Sequence, residues 1–141
     1  MCLPTPATKT PRIRKKMLKE NIRVSVKTHF MKSESRPEQK RFVHSYTITI
    51  RNDGERAVQL ISRHWIITNG DTLKTQEVSG EGVVGQQPNI PPGKYFTYTS
   101  GTMMESALGI MQGSYRMRDA QGEYFEVVIE PFTLAAPHQL N

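Results

Sequence analysis

The sequence has almost no cysteine and no long hydrophobic run. Cys2 is the only cysteine among 141 residues, which excludes an intramolecular disulfide and the paired cysteines of zinc or redox motifs. No stretch approaches the ~20 consecutive apolar residues of a membrane-spanning helix. The N-terminal segment MCLPTPATKTPRIRKK lacks the apolar core of a secretory signal. We therefore expect a cytoplasmic protein in a reducing compartment, with no membrane contact and an incidental thiol at Cys2.

Recognisable catalytic and metal motifs are missing too. The sequence has no G-x-S-x-G nucleophile motif, and its 4 histidines show neither H-x-x-H nor H-E-x-x-H spacing. Only His44 and His64 could meet across neighbouring strands, and two imidazoles without a carboxylate beside them make a poor metal site. Paired carboxylates of the glycosidase kind are not excluded, but no arrangement of the acidic residues points to them. We predict no catalytic residue, no metal and no cofactor.

Positive charge is concentrated at one end of the chain. The net charge is +6, and positions 1–20 hold 6 basic residues and 1 acidic residue, whereas positions 21–141 hold 13 basic and 12 acidic residues. The nearly neutral remainder has no basic run to follow a phosphate backbone, so we predict no specific nucleic-acid partner. Residues 1–19 are predicted to form a flexible basic extension. It is either a solvated arm or an arm for a nucleic acid or an acidic partner.

From Asn21 onward, apolar residues recur with a period of two, which is typical of β-strands. The predicted strands cover 22–26, 42–51, 57–68, 73–78, 94–100, 110–118 and 123–132. Gly113 predicts a bulge or a close backbone approach, and Pro131 is expected to end the last strand. The pattern predicts an all-β fold, an antiparallel immunoglobulin- or fibronectin-type-III-like β-sandwich of about seven strands. This domain is expected to span residues 20–134, with a loose tail at 135–141.

Residues 80–85 read GEGVVG, a G-x-G-x-x-G motif. In a dinucleotide-binding fold a helix follows this motif, and its N-terminal N–H groups hold the pyrophosphate. Here QQPNIPPG follows, and its three prolines forbid that helix. The glycines then allow positive φ angles in an irregular loop. As the alternative, backbone N–H groups at Gly80, Gly82 and Gly85 form an anion-binding nest that binds pyrophosphate or a nucleotide weakly.

The tripeptide Arg63-His64-Trp65 is a candidate interaction surface. Alternate residues of a strand face opposite sides, so Arg63 and Trp65 share one face and His64 takes the other. On one interpretation Trp65 fills the core and His64 packs or hydrogen-bonds at a sheet edge. On the other, the aromatic ring and the guanidinium are displayed together, and both groups are favoured at protein interfaces.

The predicted long loop 101–109 is a second candidate surface, because it carries Met103, Met104 and Leu108. Methionine side chains adapt to varied partners, and binding residues in a β-sandwich concentrate on the loops at its ends. The alternative is that these apolar side chains fold back over the end of the sandwich.

Several segments together resemble the ApaG family across residues 20–134. They are RHWIITNG (63–70), VSGEGVVGQQP (78–88), PG (92–93), YTSG (98–101), MQGSY (111–115) and PF (131–132). The resemblance implies a fibronectin-type-III-like β-sandwich, as in stand-alone bacterial proteins. Related domains of F-box proteins and of a polymerase-delta-interacting protein imply protein–protein interaction. The name CorD, also used in this family, implies a link to cobalt and magnesium resistance or efflux.

One position departs from the family pattern. Members of the family often carry a cysteine shortly after the Ser-Gly that follows the aromatic strand, and this chain has Thr102 there. A thiol or metal role of that residue is therefore not expected. The combined expectation is a non-catalytic binding module for an unidentified protein partner, with an indirect link to cation resistance. Its oligomeric state is left open, because an exposed sandwich edge allows a dimer without requiring one.

Overall fold

The structure is a computed structural model that describes residues 18–19 and 21–137. Cys2, His138 and nearly all of the expected basic extension lie outside the described residues. The described part contains eight strands. Their bounds are β1 Ile22–Phe30, β2 Phe42–Asn52, β3 Val58–Asn69, β4 Thr75–Glu81, β5 Asn89–Ile90, β6 Tyr95–Met104, β7 Leu108–Asp119 and β8 Tyr124–Ala135.

These strands pair antiparallel and form two sheets. The three-stranded sheet has the order β1-β2-β6, and the five-stranded sheet has the order β4-β3-β7-β8, with β5 paired to the start of β3. Strand β2, FVHSYTITIRN, alternates between buried and more exposed positions along its whole length. That alternation matches the pleat of a strand, so one face of the sheet packs on the other sheet. The predicted antiparallel β-sandwich is confirmed.

The core lies between the two sheets and is centred on an aromatic group. Trp65 is only 2% exposed, and the edges of Tyr46, Tyr115 and Phe132 meet its ring at centroid distances of 5.6, 6.2 and 6.0 Å. Aromatic rings favour such edge-to-face contacts because ring edges are positive and ring faces negative. Tyr46 belongs to the three-stranded sheet and the other rings to the five-stranded sheet, so this cluster joins the two layers.

Two predicted loops differ from the structure. Residues 101–109 are not a long loop, because β6 continues to Met104 and β7 already begins at Leu108. Gly101 and Thr102 look like loop residues in sequence, but they pair with Ser45 and His44 along the ladder between β2 and β6. The hairpin arm expected at 73–78 is shifted to Thr75–Glu81, and part of the loop 79–93 forms strand β5.

Gly113 lies where the backbones of β7 and β3 come closest. A Cβ at this position would lie 1.9 Å from the carbonyl oxygen of His64, so the predicted close approach is confirmed. The β7–β8 register shifts next to it, between Met111 and Gly113. The extra residues on β8 include Pro131, and the strand continues beyond this proline instead of ending at it. A bulge on an edge strand accommodates proline because no ladder hydrogen bond is lost.

The C-terminal boundary lies slightly beyond the predicted one. Strand β8 includes Ala135, and Ala136 is fully buried and donates its N–H to the carbonyl oxygen of Ala107 at 2.9 Å. These two residues therefore pack as part of the sandwich. Residues 138–141 of the expected tail lie outside the described part. Within residues 18–19 and 21–137, no helix has the length and apolar character needed to cross a bilayer.

Candidate functional site

The glycine motif is divided between a strand and a tight turn. Gly80 lies in β4, opposite Arg63 on β3. Val83 and Gln86 exchange two backbone hydrogen bonds of 2.8 and 2.9 Å, and the residues between them, Val84 and Gly85, have φ angles of 43° and 78°. Two positive φ angles in a two-residue loop indicate a type I′ hairpin turn. In keeping with the expectation from the prolines, no helix begins in residues 86–93.

The loop uses its own N–H groups. Gly82 donates to the carbonyl oxygen of Ile61 at 2.8 Å, and Val83 donates to Gln86. Gly82 has a φ angle of +65°, and a Cβ there would lie 2.3 Å from the carbonyl oxygen of Gln86. Only glycine fits this position, and the reason is local packing. Donors already engaged by protein carbonyls are less available to an anion, so the nest at Gly80, Gly82 and Gly85 stays a prediction with fewer free donors.

Hydrogen bonds from the Arg63 side chain connect the glycine loop to β3. Its Nη1 atom donates to the carbonyl oxygens of Glu81 and Gly82 at 3.1 and 2.8 Å. The guanidinium lies against Gly80, where a Cβ would come within 3.1 Å of both terminal nitrogens. Gly80 therefore leaves room for the arginine. Arg63 is half-buried and has a structural role here, although the sequence predicted it as part of an interaction surface.

His64 and Trp65 occupy opposite faces of β3. The Nε2 atom of His64 lies 3.0 Å from Oε1 of Glu77 on β4, and the two side chains are 43% and 65% exposed. Trp65 is in the core, which corrects its assignment to an interaction surface: a buried ring cannot touch a partner of the folded protein. The other predicted interpretation put Trp65 in the core and His64 in a hydrogen bond at a sheet edge. Both contacts match the structure, but β3 is an inner strand of its sheet and not an edge.

The two histidines that could have met do not do so. His44 is on β2, in the three-stranded sheet, and is 1% exposed, whereas His64 faces outward from the five-stranded sheet. Across the described ranges, no three His, Cys, Asp or Glu residues gather into a group that could hold a metal ion. Burial lowers the pKa of His44, and a weak interaction with the backbone of Ala135 offsets part of that shift. Neither ring nitrogen has a hydrogen-bond partner in the described part of the chain.

A buried pair of phenols joins the two sheets. The hydroxyl groups of Tyr98 on β6 and Tyr115 on β7 share a hydrogen bond. Burial is the main cause that raises the pKa of both phenols, so both stay protonated over the physiological pH range. The sequence gives no sign that the two tyrosines meet, because the contact depends on how the two sheets are stacked.

An open depression of about 370 Å³ lies on the outer face of the five-stranded sheet. Small side chains from three strands, Ser62, Ser79 and Ser114, form part of its lining, and Arg116 and Glu126 belong to the same lining. The guanidinium of Arg116 lies 4.3 Å from the ring centroid of Tyr124. This surface is polar and shallow, and can hold a small polar group of a partner but encloses nothing.

Three exposed apolar side chains lie at the other end of the same sheet, in the turn after β3 and at the start of β7. Leu108 and Ile110 are 46% and 44% exposed, and Leu73, in the turn after β3, is 74% exposed. Ile110 pairs with Thr68, which places it diagonally across from Ile66, and the Leu108 carbonyl accepts the N–H of Gly70 at 2.8 Å. We call Ile66, Leu73, Leu108 and Ile110 the apolar end patch.

The two methionines predicted as surface residues are in different environments. Met103 is 47% exposed and faces outward from the three-stranded sheet. Met104 is 2% exposed and belongs to the core cluster, which corrects its assignment to an interaction surface. Because β6 extends through both residues, alternation alone puts one outside and the other inside.

The two predicted binding loops lie at opposite ends of the sandwich. Glu81 pairs with Ser62 and Ile90 with Val58, near the start of β3. The backbone N–H of Ser106 donates to the side chain of Asn69, at the end of β3. Seven residues of strand correspond to about 20 Å. The loops therefore cannot form one surface, and we refer below to the glycine-loop end and the hairpin end.

Comparisons with known proteins agree with this architecture. Residues 32–119 match the family model described as the ApaG domain. The chain is 53% identical to Protein ApaG of Ectopseudomonas mendocina over 120 residues, which cover 85% of this chain and 94% of that protein. It is 50% identical to Protein ApaG of a Shewanella species over 124 residues, which cover 88% of this chain and 98% of that protein.

A solved structure gives the same result in three dimensions. A crystal structure from Bordetella pertussis superposes with a TM-score of 0.80 at 46% sequence identity, covering 82% of this chain and 94% of that one. A second solved structure has the same TM-score at 50% identity and covers 85% of this chain and 90% of the other.

Proposed function

The chain belongs to the ApaG family, and we propose that it is a non-catalytic module that binds another protein. The observation that supports this most directly is the apolar end patch. Leu73, Leu108 and Ile110 are all more than 40% exposed and lie at one end of one sheet. Contiguous exposed apolar surface is uncommon on monomeric proteins unless a partner covers it.

The surroundings of the patch favour a protein partner over a small molecule. The patch is on an open strand face and turn, without walls, whereas small ligands bind in concave pockets that bury most of their surface. Asn69 holds the hairpin end in place, because its Oδ1 accepts the N–H groups of Glu105 and Ser106 at 3.1 and 3.3 Å. A fixed backbone presents the apolar side chains without a large ordering cost on binding.

The test is site-specific photo-crosslinking followed by substitution. A benzoylphenylalanine replacing Ile110 is expected to capture a distinct protein in the producing cell. The same group replacing Ser25, exposed on the outer face of the other sheet, serves as the control. Leu108→Ser with Ile110→Thr should then weaken binding of the captured protein about ten-fold or more, because apolar contacts at the centre of an interface carry most of the affinity.

Met103→Ser is the matched substitution, since Met103 is equally exposed but faces outward from the other sheet. It is expected to leave binding of the captured protein unchanged. If the double substitution has no effect while the melting temperature stays the same, the apolar end patch is not the interface. If Met103→Ser alone abolishes binding, the interface is on the three-stranded sheet.

The link to cobalt and magnesium resistance enters this proposal as an indirect one. We propose that the partner, and not this chain, handles the cation, and that the complex forms in the cytoplasm. Support for the compartment comes from the single cysteine, which suits a reducing environment.

A further inference from the structure

The four longer edge strands of the sandwich differ in how they are protected. Exposed edges invite pairing with other chains, and proteins usually block them with charged residues, proline or bulges. Edge strand β1 carries Arg23 and Lys27, and β4 carries Glu77 and Glu81. Edge strand β8 carries glutamates, a proline and a bulge. Apart from the two-residue strand β5, β6 is the one edge strand of the described residues with neither charge nor proline. Its sequence is YFTYTSGTMM, ten residues long.

The free hydrogen-bonding groups of β6 follow from its pairing with β2. The N–H of Asn52 donates to the carbonyl of Lys94 at 2.9 Å, in the register that pairs Arg51 with Tyr95. Along an antiparallel ladder, hydrogen-bonded residue pairs alternate with pairs that are not hydrogen-bonded to each other. Even-numbered residues of β6 therefore bond to β2, and odd-numbered residues from Tyr95 to Met103 direct their N–H and C=O groups away from it. Among the described residues no strand pairs with that side.

We propose that the free edge of β6 pairs antiparallel with β6 of a second copy of this chain, with Thr99 on the two-fold axis. This register puts odd-numbered residues opposite odd-numbered residues, so the free groups meet each other in about ten new hydrogen bonds. Two three-stranded sheets then become one six-stranded sheet. A two-fold interface of this kind uses the same surface on both copies.

The side chains favour a second copy as the occupant. With Thr99 on the axis, Tyr95 of one copy lies opposite Met103 of the other, and these residues are 67% and 47% exposed in the single chain. A methionine sulfur beside an aromatic ring is a favourable contact. Pairing therefore buries the exposed Tyr95 and Met103 side chains at both ends of the paired segment. Thr97 lies opposite Gly101, where a small residue leaves room for it.

The outer face of the three-stranded sheet continues across the axis without a break. Thr47 and Thr99 share a hydroxyl hydrogen bond of 2.8 Å, and Thr49 and Thr97 share one of 3.1 Å. Cross-strand threonine pairs of this kind stabilise sheets. Pairing about Thr99 brings two such rows together with no like charges between them.

The first experiment measures the mass of the full chain against concentration by sedimentation. We expect it to rise from 16.1 kDa to twice that value. Thr99→Lys should weaken association about 100-fold or more, because the two lysines face each other across the axis. Thr99→Glu should do the same, and mixing the two variants should restore a dimer. Ser25→Lys adds the same charge on the same face at the opposite edge, and should leave the dimer intact.

Amide hydrogen exchange gives a second measurement that does not depend on a variant. In the single chain the amides of Thr97, Thr99 and Gly101 should exchange quickly, and those of Tyr98 and Ser100 slowly. On association, the first three should slow about ten-fold or more. A chain that stays monomeric up to ~1 mM overturns the proposal, as does a dimer that Thr99→Lys leaves unchanged. A dimer whose Thr99 amide still exchanges quickly also overturns it, and none of these results bears on the apolar end patch.

Discussion

The glycine-loop end and the hairpin end of the sandwich both satisfy backbone polar groups within the protein, but they differ in the apolar side chains that they expose. At the glycine-loop end, Arg63 binds two loop carbonyls and Gly82 donates back to β3, so the conspicuous motif is held by the protein itself. At the hairpin end the backbone is also satisfied, through Asn69, but Leu108 and Ile110 remain exposed. A recognisable motif can therefore have a structural role, while a hairpin without any motif leaves apolar side chains exposed.

Gly82→Ala should break the glycine-loop end and produce the largest effect. The added Cβ would meet the Gln86 carbonyl at 2.3 Å in a backbone with φ of +65°. We expect the free energy of unfolding to fall by about 2–3 kcal/mol, as measured by urea denaturation. Gly85→Ala is the control, because φ is also positive but no atom lies within 4 Å. It should cost only about 1 kcal/mol. Equal losses in both variants would show that the steric contact at Gly82 is unimportant.

Acidification should distinguish the two ends through His44, which is buried near the hairpin end. Its pKa is lowered by burial, so the unfolded chain takes up a proton near pH 6.5 and the folded chain only at a lower pH. Stability is therefore unaffected above that pH and falls as the pH drops below it, with a slope of at most ~1.4 kcal/mol per pH unit. Urea denaturation between pH 7 and pH 5 measures this slope.

His44→Phe should remove most of that slope, because phenylalanine has no group that takes up a proton. The site should accept another aromatic ring, since Phe30 already packs against the His44 ring at 5.2 Å. His29→Gln, on the outer face of β1, removes an exposed imidazole and should leave the slope unchanged. A slope that persists in His44→Phe would assign the acid sensitivity to other groups. The glycine-loop end should respond at lower pH, because Arg51 and Arg23 lower the pKa of Asp53.

The smallest expected effect is that of small ions on the glycine-loop end. In an NMR titration with pyrophosphate, we expect the amides of Gly82 and Val83 to shift little, because both already donate to carbonyls of the protein. Cobalt should likewise produce no saturable shift if the cation link is indirect. Saturable shifts confined to residues 80–85 would support the anion-binding alternative. Tight stoichiometric binding of cobalt would contradict an indirect role.

Much of the fold was predictable because the relevant signals are local. The period of two in β2 and β3 indicated strands, and the prolines after residue 85 ruled out a phosphate-binding helix. Gly113 was correctly predicted to lie at a close backbone approach. The end of β8 was predicted wrongly, because Pro131 stops a strand only where its missing N–H is needed, and a bulge removes that need.

The candidate site was less predictable because burial is not a local property. Arginine is a residue type that is enriched at protein interfaces. The strand register nevertheless places Arg63 opposite Gly80, with its guanidinium against that glycine. Trp65 and Met104 were considered for a surface, and both are in the core. Leu73 and Ile110 were missed altogether. Their apolar character at a turn and at the start of a strand was the available signal, but it is ambiguous without the partner strands.

By itself the sequence determined that this chain forms antiparallel strands, because alternation in residue type and the positions of turn residues act within a few residues of each other. Tertiary structure alone decided which face of each strand became the interior. It also decided that the two predicted loops are about 20 Å apart and that β6 ends its sheet unprotected. The physical reason is that stacking and register are set by contacts between residues far apart in the chain, whose joint packing no single segment specifies.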